Sequence, residues 1–556
     1  MTVSFYPDNA VVSVDNLQVC AINHGVETEL VSGISFSVRK GEVLALIGES
    51  GSGKTTIAMA LMGYARQGCR VTAGKVQVAG SDVSALSPAQ LRAFRGDNVA
   101  YIAQSAAASF NPGMKIIDQV TEPVLIHGKM SKAQAREKAI GLFKELALPD
   151  PETIGQRYPH QVSGGQLQRL MTAMALMADP QVIILDEPTT ALDVTTQVEV
   201  LKLFRKIVST RKMTAIYVSH DLAVVAQMAD QIMVLQRGKI VEYGPAAQLL
   251  SHARQPYTLQ LMDAARQVMR PGGWSRDHGD VHPLLEVRDL CAGYGPRNSE
   301  GIPKIRISEN IQLRLWKGQA VGIIGESGSG KTTLAQAIAG INPAWSGHLL
   351  FNHHYISRDL GQRSVRELQQ IQYVFQMADT ALNPAHTVAA ILSRPLQYFF
   401  KLRGAALEQR ISELLDLVRL PDTVRHRKPA SLSGGQKQRV NLARALAANP
   451  EIIICDEVTS ALDTVVAAAI LDLIADLRRR FNLSVLFISH DMHAIRAVCD
   501  DIVVMQQGRI VTQIAREDYA KPSSELYFER LKRAVPELRQ GWLDEHQDVV
   551  KTGVTA

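Results

Sequence analysis

No uninterrupted apolar run among the 556 residues is long enough to cross a bilayer; a helical span needs about 20 predominantly apolar residues. If the protein serves a membrane, it must dock onto other subunits. Its opening residues carry no basic segment followed by an apolar core and a small-residue cleavage site, so it is expected to remain in the cytoplasm. The five cysteines, Cys20, Cys69, Cys291, Cys455 and Cys499, lie far apart with no C-x-x-C pair. This excludes the usual zinc and iron–sulfur spacings and leaves reduced, mainly buried thiols. Charge of one sign is scarce too: 60 Lys and Arg stand against 54 Asp and Glu, and the excess of +6 is scattered. It gives no argument for nucleic acid.

What is present is the composition of a soluble globular protein, 46% hydrophobic and 21% charged. The length exceeds what one core fills, and an internal repeat divides it in two. The octet Gly48-Glu49-Ser50-Gly51-Ser52-Gly53-Lys54-Thr55 returns unchanged as Gly325-Glu326-Ser327-Gly328-Ser329-Gly330-Lys331-Thr332, an offset of 277. Ser163 and Ser433, Glu187 and Glu457, and His220 and His490 are each 270 apart. The halves are placed at 1–270 and 283–534, with a C-terminal tail at 535–556. Between the halves, 271–282 is polar, glycine-bearing and without periodicity, and reads as a linker.

The runs Val43-Leu44-Ala45-Leu46-Ile47 and Ala320-Val321-Gly322-Ile323-Ile324 are short and apolar, as buried parallel strands should be, and a helix follows each. Val182 to Leu185, Ala215 to Val218, Ile452 to Cys455 and Val485 to Ile488 are further strands alternating with helical segments, which predicts an α/β fold with a mostly parallel sheet in each half. Both octets are phosphate-binding loops of the G-x-x-x-x-G-K-[ST] type. Backbone N–H groups of the turn and the positive end of the next helix cradle an anion, Lys54 and Lys331 reach the terminal phosphates, and Thr55 and Thr332 are placed for Mg²⁺. Thr56 and Thr333 extend the two nucleotide-binding sets. Each second strand ends in acid. Asp186 and Asp456 suit a metal held through water, and Glu187 and Glu457 suit the orientation or deprotonation of an attacking water.

Upstream of these acids stand Val162-Ser163-Gly164-Gly165-Gln166 and Leu432-Ser433-Gly434-Gly435-Gln436, each opening a helical stretch. With these motifs the chain resembles the ATP-binding-cassette family, whose signature is Leu-Ser-Gly-Gly-Gln. Gln104 and Gln376 match its Q-loop, a catalytic and metal-facing position. Ala191-Leu192-Asp193 and Ala461-Leu462-Asp463 match its D-loop, and His220 and His490 its switch histidine. The resemblance implies two P-loop domains in tandem, each with an antiparallel β subdomain and a helical subdomain beside the parallel core. It also implies ATP and Mg²⁺ as cofactors. In the family, nucleotide domains face head to tail around ATP, so Lys54 is expected to share a site with Ser433 and Lys331 with Ser163, and no homodimer is required. An aromatic ring near the first strand commonly stacks on adenine there; Tyr294 matches it, and Ala21 stands opposite in the first half.

Ser109-Phe110-Asn111-Pro112, Ala381-Leu382-Asn383-Pro384, Arg157-Tyr158-Pro159-His160 and Gln255-Pro256-Tyr257-Thr258-Leu259 are similar to phrases of the peptide, opine and nickel importer branch. The second half departs from it with Lys428, Val458 and Ser523-Ser524-Glu525-Leu526-Tyr527. The resemblance implies an energising subunit at the cytoplasmic face of a bacterial inner membrane, with two permease subunits and, through them, a solute-binding protein as partners. Coupling is expected at Gln104 to Val120 and Gln376 to Val388. The rival is a cytosolic double-cassette ATPase acting on ribosomes or DNA. Those groups carry a long charged insert or zinc cysteines, and this chain has neither. His348, His353 and His354 lack a nearby carboxylate or thiol and read as exposed turn histidines.

Overall fold

The computed structural model describes residues 9–23, 26–190, 192–266, 270, 274, 282–460 and 462–546. Apart from Trp274 and His282, the expected linker lies outside these residues, as do Ala191 and Ala461 of the expected D-loops and 547–556 of the expected tail. The chain forms two compact units: one spans Met1–Arg266 and takes in Pro536–Ala556, the other spans Gln267–Val535.

In the first unit, Val43–Ile47, Val182–Asp186 and Thr214–Val218 are buried at every residue. Strands covered on both faces carry unbroken apolar runs instead of alternating. They form a six-stranded sheet in the order Lys239–Pro245, Gln231–Gln236, Val43–Ile47, Thr214–Val218, Val182–Asp186, Val99–Ile102. All pairs are parallel except the edge pair of Lys239–Pro245 with Gln231–Gln236. A four-stranded antiparallel sheet, built on Ala10–Asn23, Val26–Arg39 and Cys69–Val78, covers the helix that follows Val43–Ile47. One face of it is buried, so Ile34, Phe36 and Val38 alternate with half-buried Ser35 and Ser37. Ile57 and Ala58 of that helix join Val14, Phe36, Leu44 and Val218 in one core. Helices Ile116–Ile126, Lys132–Glu145 and Gly164–Leu176 pack on one another as a separate layer.

The second unit repeats the plan. Its six-stranded sheet runs Ile371–Val374, Ile452–Asp456, Ser484–Ile488, Ala320–Ile324, Asp501–Gln506, Arg509–Ala515, antiparallel only at the last pair. Parallel order brings the C-terminal ends of the central strands to one edge, where loops gather and ligands bind in such sheets. The expected tandem α/β architecture, with its antiparallel and helical subdomains, is what the chain forms.

A buried ion pair of the second unit has no counterpart at the matching position of the first. Arg478, fully buried, donates to Asp500 Oδ2 at 2.5 Å and to the carbonyls of Val498 and Gly318 at 2.6 and 2.9 Å. Asp500 also accepts the Ala320 N–H at 2.8 Å. The first unit has Val208 at the matching position, 270 residues earlier. Arg478→Ala leaves a buried carboxylate and two carbonyls without this cation, so the second unit is expected to lose about 3–5 kcal/mol. A denaturant titration should show an added early transition; an unaltered curve would refute this account.

Candidate functional site

At the end of Val43–Ile47 the chain turns so tightly that a Cβ on Gly48 would stand 2.1 Å from the Leu235 carbonyl oxygen; on Gly325 it would stand 2.2 Å from that of Met505. Only glycine fits such an approach. Gly53 and Gly330, at φ 99° and 100°, then enter helices Lys54–Ala60 and Lys331–Ala339 in the left-handed conformation. Lys54 Nζ folds back on the Gly48 and Glu49 carbonyls at 2.7 and 2.8 Å, and Lys331 Nζ on Gly325 and Glu326, both at 2.9 Å. Each ammonium is thus held inside its loop. Ser50, Gly51, Ser327 and Gly328 form the exposed crests. Ser52 and Ser329 point inward, their hydroxyl oxygens buried without a hydrogen-bond partner. An unpartnered buried hydroxyl calls for an explanation, and a bound ion or water at the loop is one that would complete it.

The next helical residue of each loop reaches the neighbouring strand. Thr55 donates to Asp186 Oδ1 and Thr332 to Asp456 Oδ1, both at 3.1 Å, while Tyr101 and Tyr373 donate to the other carboxylate oxygens at 2.7 and 2.6 Å. Hydroxyl and carboxylate oxygens are the hard donors that Mg²⁺ takes. Burial raises the affinity of Asp186 and Asp456 for a proton, and these hydrogen bonds only partly oppose it. Glu187 and Glu457 go the other way. Burial raises them as well, but the hydrogen bonds and charge of His220 and His490, with Lys54 and Lys331 nearby, outweigh it and hold both below the ordinary glutamate range. The histidines are raised in turn, because the glutamates outweigh their burial.

The glutamate is therefore the hub of each site. His220 Nδ1 lies 3.2 Å from Glu187 Oε1 and His490 Nδ1 3.5 Å from Glu457 Oε1; Gln104 Nε2 donates to Glu187 Oε2 at 3.0 Å and Gln376 Nε2 to Glu457 Oε2 at 2.6 Å. The Q-loop side chains are directed at the glutamates, with no hydrogen bond to the aspartates among the described residues. Both glutamates have left-handed backbones, φ 49° and 48°. Such conformations are uncommon for residues other than glycine and gather at active sites.

Ser163 and Ser433 cap helices Gly164–Leu176 and Gly434–Leu446, accepting the Gln166 and Gln436 N–H at 3.3 Å while those glutamines return a bond to the serine N–H at 3.1 Å. Gly165 and Gly435 are fixed by close packing: a Cβ would stand 2.5 Å from Thr196 and 2.4 Å from Val466. Asp193 and Asp463 cap the helices beneath them. Tyr294 lies against its phosphate-loop helix, its hydroxyl donating to Gln336 Oε1 at 3.3 Å and accepting from Thr333 at 3.2 Å. The first unit pairs Ala21 with Thr28 where the second pairs Tyr294 with Ile305.

The ABC transporter family matches residues 31–190 and 308–460, which span both phosphate loops and both acidic strand ends. The chain belongs to the ABC transporter family. Its relatives include the glutathione import ATP-binding protein GsiA of Salmonella choleraesuis (strain SC-B67), 34% identical over 95% of this chain and 89% of that protein. GsiA of Escherichia coli (strain K12) is 35% identical over the same shares. A solved ATP-binding cassette dimer in a post-hydrolysis state with ADP and phosphate is 25% identical, covering 42% of this chain and 98% of that one, with a TM-score of 0.39.

Sequence reasoning missed one pair of residues in these cassettes and the structural role of another. Tyr101 and Tyr373 stand three residues before the Q-loop glutamines, and Tyr257 and Tyr527 are 270 apart. The last two hydroxyls accept the phosphate-loop N–H groups of Glu49 and Glu326 at 3.0 and 2.9 Å. Where Ser523 to Tyr527 departs from the importer phrase, the structural tyrosine is therefore retained. Matching the halves residue by residue would have revealed both pairs. Removing a partner that orients a metal-facing carboxylate typically costs 10–100-fold in metal affinity. The double variant Tyr101→Phe/Tyr373→Phe is expected to raise the Mg²⁺ concentration at half-maximal ATP hydrolysis by about that factor, with nucleotide binding in EDTA unchanged. An unshifted Mg²⁺ titration would remove the tyrosines from that role.

Proposed function

We propose that this ABC ATPase energises the uptake of peptides or related small solutes through separate permease subunits at the cytoplasmic face of a bacterial inner membrane. The observation that carries this reading is the similarity to GsiA along 95% of the chain, both cassettes included. Glutathione is itself a peptide, in keeping with the Asn-Pro and Pro-Tyr-Thr phrases. These relatives do not favour the ribosome or DNA reading. No helix among the described residues is long and apolar enough to cross a membrane, which fits an ATPase that acts through partners.

In the proposed reaction the phosphate-loop amides and Lys54 or Lys331 hold the phosphates. Thr55 and Asp186, or Thr332 and Asp456, fit Mg²⁺, which when bound neutralises charge on the transferring group. Gln104 and Gln376 orient the glutamates beside them. Glu187 and Glu457, kept ionised at neutral pH, accept the proton of the attacking water. His220 and His490 steady the carboxylates and face the departing phosphate. Glu187→Gln and Glu457→Gln should each lower ATP turnover strongly, within the roughly 10²–10⁴-fold range of general-base catalysis, while nucleotide binding persists. Uptake of a labelled peptide into cells carrying the cognate permeases should fall with turnover. Full uptake in either variant would contradict the proposal.

Tyr294 is proposed to stack on adenine in the site of Lys331. Stacking of a base on an aromatic ring is worth roughly 1–3 kcal/mol, about five- to a hundredfold in affinity. With the first phosphate loop disabled, Tyr294→Ala should weaken nucleotide binding by that factor; with the second disabled, Ala21→Tyr should strengthen it. Unchanged affinities in both would dismiss the stacking role.

A further inference from the structure

The segment that leaves the second cassette does not stay on it. From Pro536 onward the chain belongs to the first unit, where Trp542 and Leu543 are 1% and 2% exposed. Gln227, buried on helix Leu222–Met228, donates to the carbonyls of Glu537 and Arg539 at 2.9 and 2.8 Å and accepts the Leu543 N–H at 3.1 Å. On the neighbouring helix Val194–Arg211, Lys202 donates to the His546 carbonyl at 2.6 Å and Arg205 pairs with Asp544 at 3.0 Å. A backbone stretch read by one buried glutamine, with a tryptophan sunk beside it, is a built docking site.

The segment that leaves the first cassette behaves in kind. Arg270 and Trp274 belong to the second unit. The Arg270 N–H donates to the Ala497 carbonyl at 2.7 Å and its guanidinium pairs with Asp472, while the Trp274 indole nitrogen is buried. Asp472 and Ala497 stand 270 residues after Lys202 and Gln227, so the two segments land on matching positions of matching helices. The segments are also copies in sequence: Gly273, Trp274, His278, Asp280 and Val281 recur as Gly541, Trp542, His546, Asp548 and Val549, all at an offset of 268.

We propose that the two cassettes exchange arms: each ends in a tryptophan-bearing segment whose docking partner is the helix pair behind the D-loop and switch histidine of the other. The inter-cassette segment is then one of two equivalent docking elements. Each arm leaves a helix that touches its own phosphate loop, through Tyr257 or Tyr527, and closes on the helix that follows Asp221 or Asp491 in the partner cassette.

Hydrogen exchange on the full chain tests the crossing. Trp542→Ala should speed exchange at least tenfold in Leu222–Met228 and leave Met492–Val498 unchanged; Trp274→Ala should do the reverse. A chain ending at Val535 should show the Trp542→Ala pattern, and a synthetic peptide of residues 536–556 should restore protection. Gln227→Ala, which removes three arm bonds and leaves the tryptophan, serves if the truncated chain aggregates. An uncrossed pattern, unaltered exchange in both helices, or a peptide without effect would overturn the proposal.

Discussion

Each site depends on the pass of a glycine beneath a strand carbonyl, Gly48 under Leu235 and Gly325 under Met505. Any side chain there would push the phosphate loop off the sheet edge. With the loop seated, its lysine folds back onto its own carbonyls and its threonine reaches the carboxylate at the end of the adjacent strand. Two buried strands thereby fix the separation of cation and acid, and rigid elements hold polar groups more closely than loops alone.

The adjacent carboxylates Asp186 and Glu187 are then driven apart in character. The aspartate is bonded by neutral hydroxyls, which offset burial only partly, whereas the glutamate faces His220 and Lys54. Divergent environments for neighbouring acids separate their chemical tasks. The His220 and Glu187 pair also sets a pH window. The contribution of the lowered glutamate is lost as pH falls through its folded-state value, and that of the raised histidine is lost as pH rises through its own.

The parallel strands, the phosphate loops and the acids were legible because each is local: an apolar run, a fixed glycine spacing, an acid at a strand end. The place of Tyr101 and the loop contact of Tyr257 were not, because a tyrosine carries no sign of its partner, and Asp186 and Glu49 are 85 and 208 residues away in sequence. The polar, glycine-bearing composition of 271–282 pointed to a linker, and composition does not register that Trp274 and His278 have copies at Trp542 and His546. The arms became legible only when Gln227 and Arg270 supplied their addresses.

The copies have since diverged in a manner that follows hydrogen-bond chemistry. In the second cassette Tyr294 shares its hydroxyl with Gln336 and Thr333. In the first, Ala21 replaces the tyrosine and Met59 replaces the glutamine, while Thr56 remains. Replacing both partners of a hydrogen bond by apolar groups can be nearly neutral, and here the tyrosine and the glutamine are absent together. Arg478 and Val208 follow the same rule from the other side: Asp500 keeps the N–H bond that Asp230 makes to Val43, and takes on a guanidinium only where the arginine also meets two carbonyls. The differences between the cassettes thus fall in the packing around the sites, while the loop, the acids and the histidines stand in both.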